Sequence, residues 1–130
     1  MPGGIGIRTL VQDRSFAAWA LQAELVTSIC TGSGVLAAAG LLDGYRATST
    51  KRAFHWARAQ GPRVDWIAQA RWVEDPDRWT SAGVAAGMDM TLALIARLNS
   101  DELATAVADR VEYDWHHDPA WDPFAAKTAW

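Results

Sequence analysis

Cysteine is almost absent from this 130-residue chain: Cys30 stands alone, so no internal disulfide can form, and a reducing cytoplasm is the compartment that fits. Long apolar runs are absent as well; none approaches the roughly 18–20 residues of a membrane span. The opening MPGGIGIRTL lacks the charged, then apolar, then small-residue order of a secretory signal. Charge of one sign is also missing. Lys and Arg number 12 against 15 Asp and Glu, a net of −3 with no basic block, which excludes a nucleic-acid footprint. There is no internal repeat, low-complexity tract or linker, and the length suits one modest domain.

What is present is apolar surface, at half of all residues, and eight tryptophans, most of which should be packing residues. The glycine-rich start reads as a strand end running into a loop. Asp13 is placed to cap a helix with Phe16, Trp19, Ala20 and Ala23 on one face. Residues 25–29 are short, β-branched and apolar, as a buried strand is. Residues 35–42 are apolar on every side, as a fully buried helix is. A turn at 42–45, a short strand at 46–48 and a helix over 51–60 follow, capped by Thr48, Ser49 or Thr50 and stopped by Gly61-Pro62. Residues 64–66 and 70–74 read as strands, and 78–80 returns as a hairpin partner across Asp75-Pro76-Asp77. Ser81-Ala82-Gly83 leads into a helix with Val84, Met88, Leu92 and Ile95 on one face. Ser100 caps a last helix striped by Leu103, Val107 and Val111. Strands alternating with helices predict an α/β fold with a mostly parallel sheet. Residues 114–130, with two prolines and no period, read as a surface strap whose tryptophans lie on the body.

Residues 25–42 carry the chemistry. A strand ends, Cys30 carries the turn, and a helix of small residues begins. Such an elbow presents its side chain at the C-terminal edge of the sheet, where open α/β folds place their sites. Thiolate is the reactive form of cysteine, and the positive end of a helix favours it. Thr31, Gly32 and Gly34 leave room for close approach, and the Thr31 N–H is placed to meet an oxyanion. The default reading of a lone cysteine is a small buried hydrophobe, so exposure of Cys30 decides.

The blocks "MPGGIGIR", "VTSICTGSGVLAAAGLLDGYRATST" and "RWVEDPDRWTSAGVAAGMDM" resemble the ThiJ/PfpI superfamily, over residues 2–113. Within it the sequence is most similar to the isonitrile hydratase-like branch and to related sensor domains of transcription regulators. The resemblance implies a three-layer sandwich of the flavodoxin-like or glutamine amidotransferase-like kind. Residues 1–113 then form a partial domain, incomplete at its N-terminal side, and 114–130 an extension. It makes Cys30 the elbow nucleophile, with Thr31 contributing backbone and hydroxyl. Gly3 and Gly4 become the Pro-Gly-Gly turn whose N–H groups help form an oxyanion pocket. Gly83, Val84 and Gly87 fall beside the site, and Asp89 is a structural carboxylate. The implied partners are a small-molecule substrate or ligand and a second copy of the chain, with no cofactor and no metal.

Three departures accompany the resemblance. The family's early strand and helix, with the Glu or Asp that tunes the cysteine, have no counterpart after Met1. Thr50 stands where many members have histidine, and His55 lies too far along the next helix to replace it. Thr31 replaces the histidine of peptidase-like members, which argues against protease activity. Three activities follow as expectations: hydration of an isonitrile to an N-substituted formamide, non-catalytic ligand sensing, or a redox-responsive thiol. His116 and His117, with Asp114 and Asp118, read as a solvated tail rather than a metal site. Lys51 and Arg52 read as a solvated face. Trp66, Trp72 and Trp79 read as core or dimer packing.

Overall fold

A computed structural model describes residues 1–127. Helix α1 spans Arg14–Ala20, and Asp13 caps it by accepting from the N–H groups of Ser15 and Phe16. Strand β1 is Val26–Ile29, helix α2 Gly32–Ala38 and strand β2 Arg46–Ala47. A 3-10 turn, Lys51–Ala53, leads into α3, Phe54–Gln60, followed by β3 at Asp65–Trp66. Strands β4, Trp72–Glu74, and β5, Arg78–Ser81, form the expected hairpin. Helix α4 is Val84–Leu98, and α5, Asp101–Arg110, is capped by the Ser100 side chain. The main sheet runs β1-β5-β4, with β1 parallel and β4 antiparallel to β5; β2 and β3 pair in parallel separately.

Side-chain alternation along β1 explains the layers. Val26 and Ile29 lie an odd number of residues apart and so face opposite ways. Val26 joins Leu36, Leu41, Leu42 and Val64 in one core, while Ile29 packs against Trp72, Trp79 and Met90 in the other. The fold is therefore α/β, with helices on both faces of a partial sheet. Trp72 and Trp79 are core residues, as read from the sequence, and Trp66 is half-buried against the first core.

Several local expectations fail for identifiable reasons. The opening segment keeps a strand end at Met1, which donates to Thr27 O and accepts from Ile29 N–H, but its continuation forms a 3-10 turn over Gly6–Gln12 in place of an irregular loop. On α1 only Ala20 is buried, while Trp19 is 70% exposed. Helix α3 begins without a side-chain cap from Thr48, Ser49 or Thr50, because those residues turn inward. The apolar stripes of α4 and α5 are buried only in part: Leu92 is in the core and Ile95 and Val107 are half-buried, but Val84, Met88, Leu103 and Val111 are exposed. The inward face of α4 combines Met90 and Leu92 with the small residues Ala86 and Gly87, and that of α5 is made of alanines. A Cβ on Gly87 would lie 2.7 Å from the Ile29 side chain, so α4 sits too close to the sheet for anything bulkier. Ala104 and Ala108 are the buried residues of α5, which packs against α4.

Two buried ion pairs fasten residues 113–122 to this body. Asp89 is fully buried; its Oδ2 accepts from Arg71 Nε at 2.7 Å and Nη2 at 2.6 Å. Its Oδ1 accepts from the Tyr113 hydroxyl at 3.0 Å and from the His116 N–H at 2.9 Å. Further along, the Pro119 carbonyl accepts from the N–H groups of Arg71 and Trp72 at the start of β4. Asp122 then pairs with Lys51, their side chains 2% and 3% exposed. Lys51 is thus not on a solvated face, and only Arg52 is exposed there. Nor is the tail fully solvated: His116 is half-buried and stacks on Trp121, while His117 stacks on Trp115. Trp121 leans on the strap's own histidine and is otherwise half-exposed.

Removing one partner of a buried pair costs about 3–5 kcal/mol, so Asp89→Ala should lower urea-derived stability by that order. Burial, with the Asp89 carboxylate as acceptor, pushes the Tyr113 phenol above its ordinary 10.0. The folded state then holds this proton more tightly, so the contribution is complete below the unfolded value and is lost as pH rises through the raised one. Tyr113→Phe should flatten the alkaline arm of a stability-against-pH curve.

Candidate active site

Cys30 sits between the end of β1 and the start of α2 with φ of +60°, the left-handed region. For a residue with a Cβ this conformation costs roughly 1–2 kcal/mol. Three hydrogen bonds hold it. The Cys30 N–H donates to Ser81 O at 3.2 Å, extending the β1–β5 ladder by one residue. The Cys30 carbonyl accepts from Ser33 Oγ at 3.1 Å and from Ser49 Oγ at 2.9 Å. At about 1 kcal/mol net each, these bonds more than offset the strain. The side chain is neither buried nor fully exposed, so the elbow keeps the thiol out of both cores.

Residues 1–4 are laid against this bend. Ile29 N–H donates to Met1 O at 3.0 Å. A Cβ on Gly3 would fall 2.5 Å from Cys30 Cβ and 2.9 Å from the Thr31 nitrogen, so only glycine allows this approach. A Cβ on Gly32 would meet Met1 O at 2.6 Å and Pro2 O at 2.8 Å. Gly4 has φ of +146°, and its N–H donates to Thr31 Oγ1 at 2.9 Å while that hydroxyl reaches Gly4 O at 3.2 Å. The structure thus brings Gly3, Gly4, Cys30 and Thr31 together. It also assigns Gly4 N–H to the buried Thr31 hydroxyl instead of to open space.

Gly83 and Val84 stand at the start of α4, two and three residues past Ser81. Gly83 borders open space. Val84 is 75% exposed and lines an apolar groove of about 320 Å³ with Ile29, Met88, Ile95 and Val107. Ile29, which lines this groove, immediately precedes Cys30 in sequence; Cys30 itself is not part of the lining. Thr50 is buried next to Ser49 in sequence, whereas His55 is exposed on α3. The two buried acids, Asp89 and Asp122, are each committed to a basic partner, so neither is the cysteine's proton acceptor. Among the described residues no group of three or more His, Cys, Asp or Glu could hold a metal ion, and no helix is long and apolar enough to cross a membrane.

Sequence reasoning missed the carbonyl clamp. Ser33, three residues after Cys30, carried a local signal, since hydroxyls commonly bond a carbonyl three or four residues back. Ser49 carried none, because its contact is tertiary.

The DJ-1/PfpI family profile matches residues 1–97. The isonitrile hydratase of Pseudomonas putida is 40% identical over 119 residues, covering 87% of this chain and 50% of that protein. The HTH-type transcriptional regulator GbdR of Pseudomonas aeruginosa is 36% identical over 115 residues, covering 86% of this chain and 31% of the regulator. The crystal structure of a ThiJ/PfpI family protein from Pseudomonas syringae superposes with a TM-score of 0.70 at 33% identity, covering 98% of this chain and 55% of that one. The chain therefore spans 50% and 31% of the length of these two curated relatives.

Overpacking a tight backbone contact costs about 1–3 kcal/mol. Gly3→Ala and Gly32→Ala should each lose that much in urea unfolding, whereas Gly83→Ala, beside open space, should change stability by less than about 0.5 kcal/mol.

Proposed function

The chain belongs to the DJ-1/PfpI family, and from that premise we propose that Cys30 is a nucleophile that hydrates isonitriles to N-substituted formamides. The observation that carries this reading is the left-handed backbone of Cys30, fixed by three hydrogen bonds with the thiol partly exposed. Strain of this kind is kept where a side chain must be aimed. The chemistry balances without a cofactor. The thiolate attacks the terminal carbon of R–N≡C, and that carbon takes a proton to give a thioimidate. Water adds to the same carbon, the carbon–sulfur bond breaks, and R–NH–CHO leaves as the thiolate is restored. The main-chain N–H groups of Gly3 and Thr31 are the proposed donors to charge that develops during these steps. The apolar groove lined by Ile29 and Val84 suits a hydrocarbon substituent R.

The buried acids being committed elsewhere, water is the proton carrier available to these residues, which makes turnover slow. Without the thiol no covalent route remains. Formamide formation from an alkyl isonitrile, followed by chromatography, should fall to background in Cys30→Ala; cysteine-independent turnover, or none in the parent chain, would reject the reading.

The regulator relatives favour a second reading, a ligand-sensing domain that binds without turnover. Saturable calorimetric binding of the same isonitrile by Cys30→Ala, with no formamide produced by the parent, would select it.

A further inference from the structure

The clamp on the Cys30 carbonyl continues into a buried polar chain that ends in the C-terminal strap. Ser49, one half of the clamp, is fully buried, and so is Thr48 beside it. The Thr48 N–H donates to Thr80 Oγ1 at 2.8 Å, and its hydroxyl to Ala70 O at 3.3 Å. Lys51 Nζ reaches three acceptors: Ala70 O at 2.6 Å, Thr48 Oγ1 at 3.3 Å and Asp122 Oδ2 at 3.4 Å. An ammonium has three protons to donate, so its capacity is filled, with Asp122 as the one counter-charge. Asp122 is itself fixed, its Oδ1 accepting from the Phe124 N–H at 2.9 Å. Burial holds the Lys51 ammonium below its ordinary 10.5, and Asp122 opposes that shift.

This geometry decides what the pair does. A surface ion pair contributes little and can be deleted without consequence. Here the loss of Asp122 leaves a charge at 3% exposure without a counter-charge, and the loop that must rearrange to solvate it is the one carrying Ser49. We infer that Asp122 is a positioning residue for Cys30: by fixing Lys51 it holds residues 48–50 in place, and through Ser49 it orients the Cys30 carbonyl and the sulfur. This inference rests on the reading of Cys30 as a reactive nucleophile. It assigns the strap a part in the site.

The test measures alkylation of Cys30 by iodoacetamide across a pH series, in the full folded chain and in free cysteine. It does not depend on the substrate. In Asp122→Asn the neutral-pH rate should fall about tenfold, below the ~100-fold that a 1 Å misplacement can cost, and the profile should move to higher pH. Tyr113→Phe loosens the strap at its other anchor without touching Lys51, and should leave the profile unchanged. If Asp122→Asn does not fold, the double variant Lys51→Met with Asp122→Leu replaces the pair by apolar groups and should still show the displaced profile. An unaltered profile in folded Asp122→Asn or in the double variant overturns the inference, as does an equal displacement in Tyr113→Phe, which would mark a general loosening. A parent thiol no faster than free cysteine instead removes the nucleophile reading, and the inference with it.

Discussion

The backbone carbonyl of Cys30, gripped by the hydroxyls of Ser33 and Ser49, is the contact on which the site depends. It comes from two directions in the chain: Ser33 from the first turn of α2, Ser49 from the loop after β2. Together they hold a peptide that would otherwise relax out of the left-handed region. Neither strand end nor helix start would by itself keep a side chain aimed between the two cores. The N-terminal glycines complete the arrangement from outside, since Gly3 can approach the bend only because it has no Cβ.

The polar interior is organised around charge rather than diluted by it. Asp89 and Lys51 are both buried, and each is fully paired. Apolar residues of similar volume could be as stable in such places, but they would not select one path for the strap. With Arg71, Tyr113, His116 and Asp122 as fixed partners, the segment after α5 has one place to lie. It covers the start of β4, the outer strand of the main sheet, an edge that would otherwise invite pairing with another chain.

How much was legible depends on the range of each interaction. Caps at Asp13 and Ser100, the β4–β5 hairpin and the stop at Gly61-Pro62 were readable, because each is decided within a few residues. So was the elbow, since a β-branched run followed by Cys-Thr-Gly is a local pattern. The buried faces of α4 and α5 were legible only in part: Leu92 is buried as its stripe implied, whereas Met90 and the alanines of both helices lie off the stripes. A hydrophobic stripe points inward only when nothing closer competes, and here Gly87 and the alanines permit a tighter approach than Val84 or Met88 would. Lys51 beside Arg52 gave the same signal as any solvated pair of cations. Its partner lies in the last residues of the chain, and no local spacing rule connects the two.

Proteins are synthesised from the N-terminus, and domains assemble largely in that order. Lys51 is made long before Asp122, and Arg71 long before Pro119. While the nascent chain is still short of residue 119, an ammonium group destined for the interior lacks its counter-charge, and the outer hairpin strand is bare. The two apolar cores can condense first; closure waits until residues 119–122 have been made. A ribosome that stalls before residue 119 would release a body already collapsed but not yet sealed.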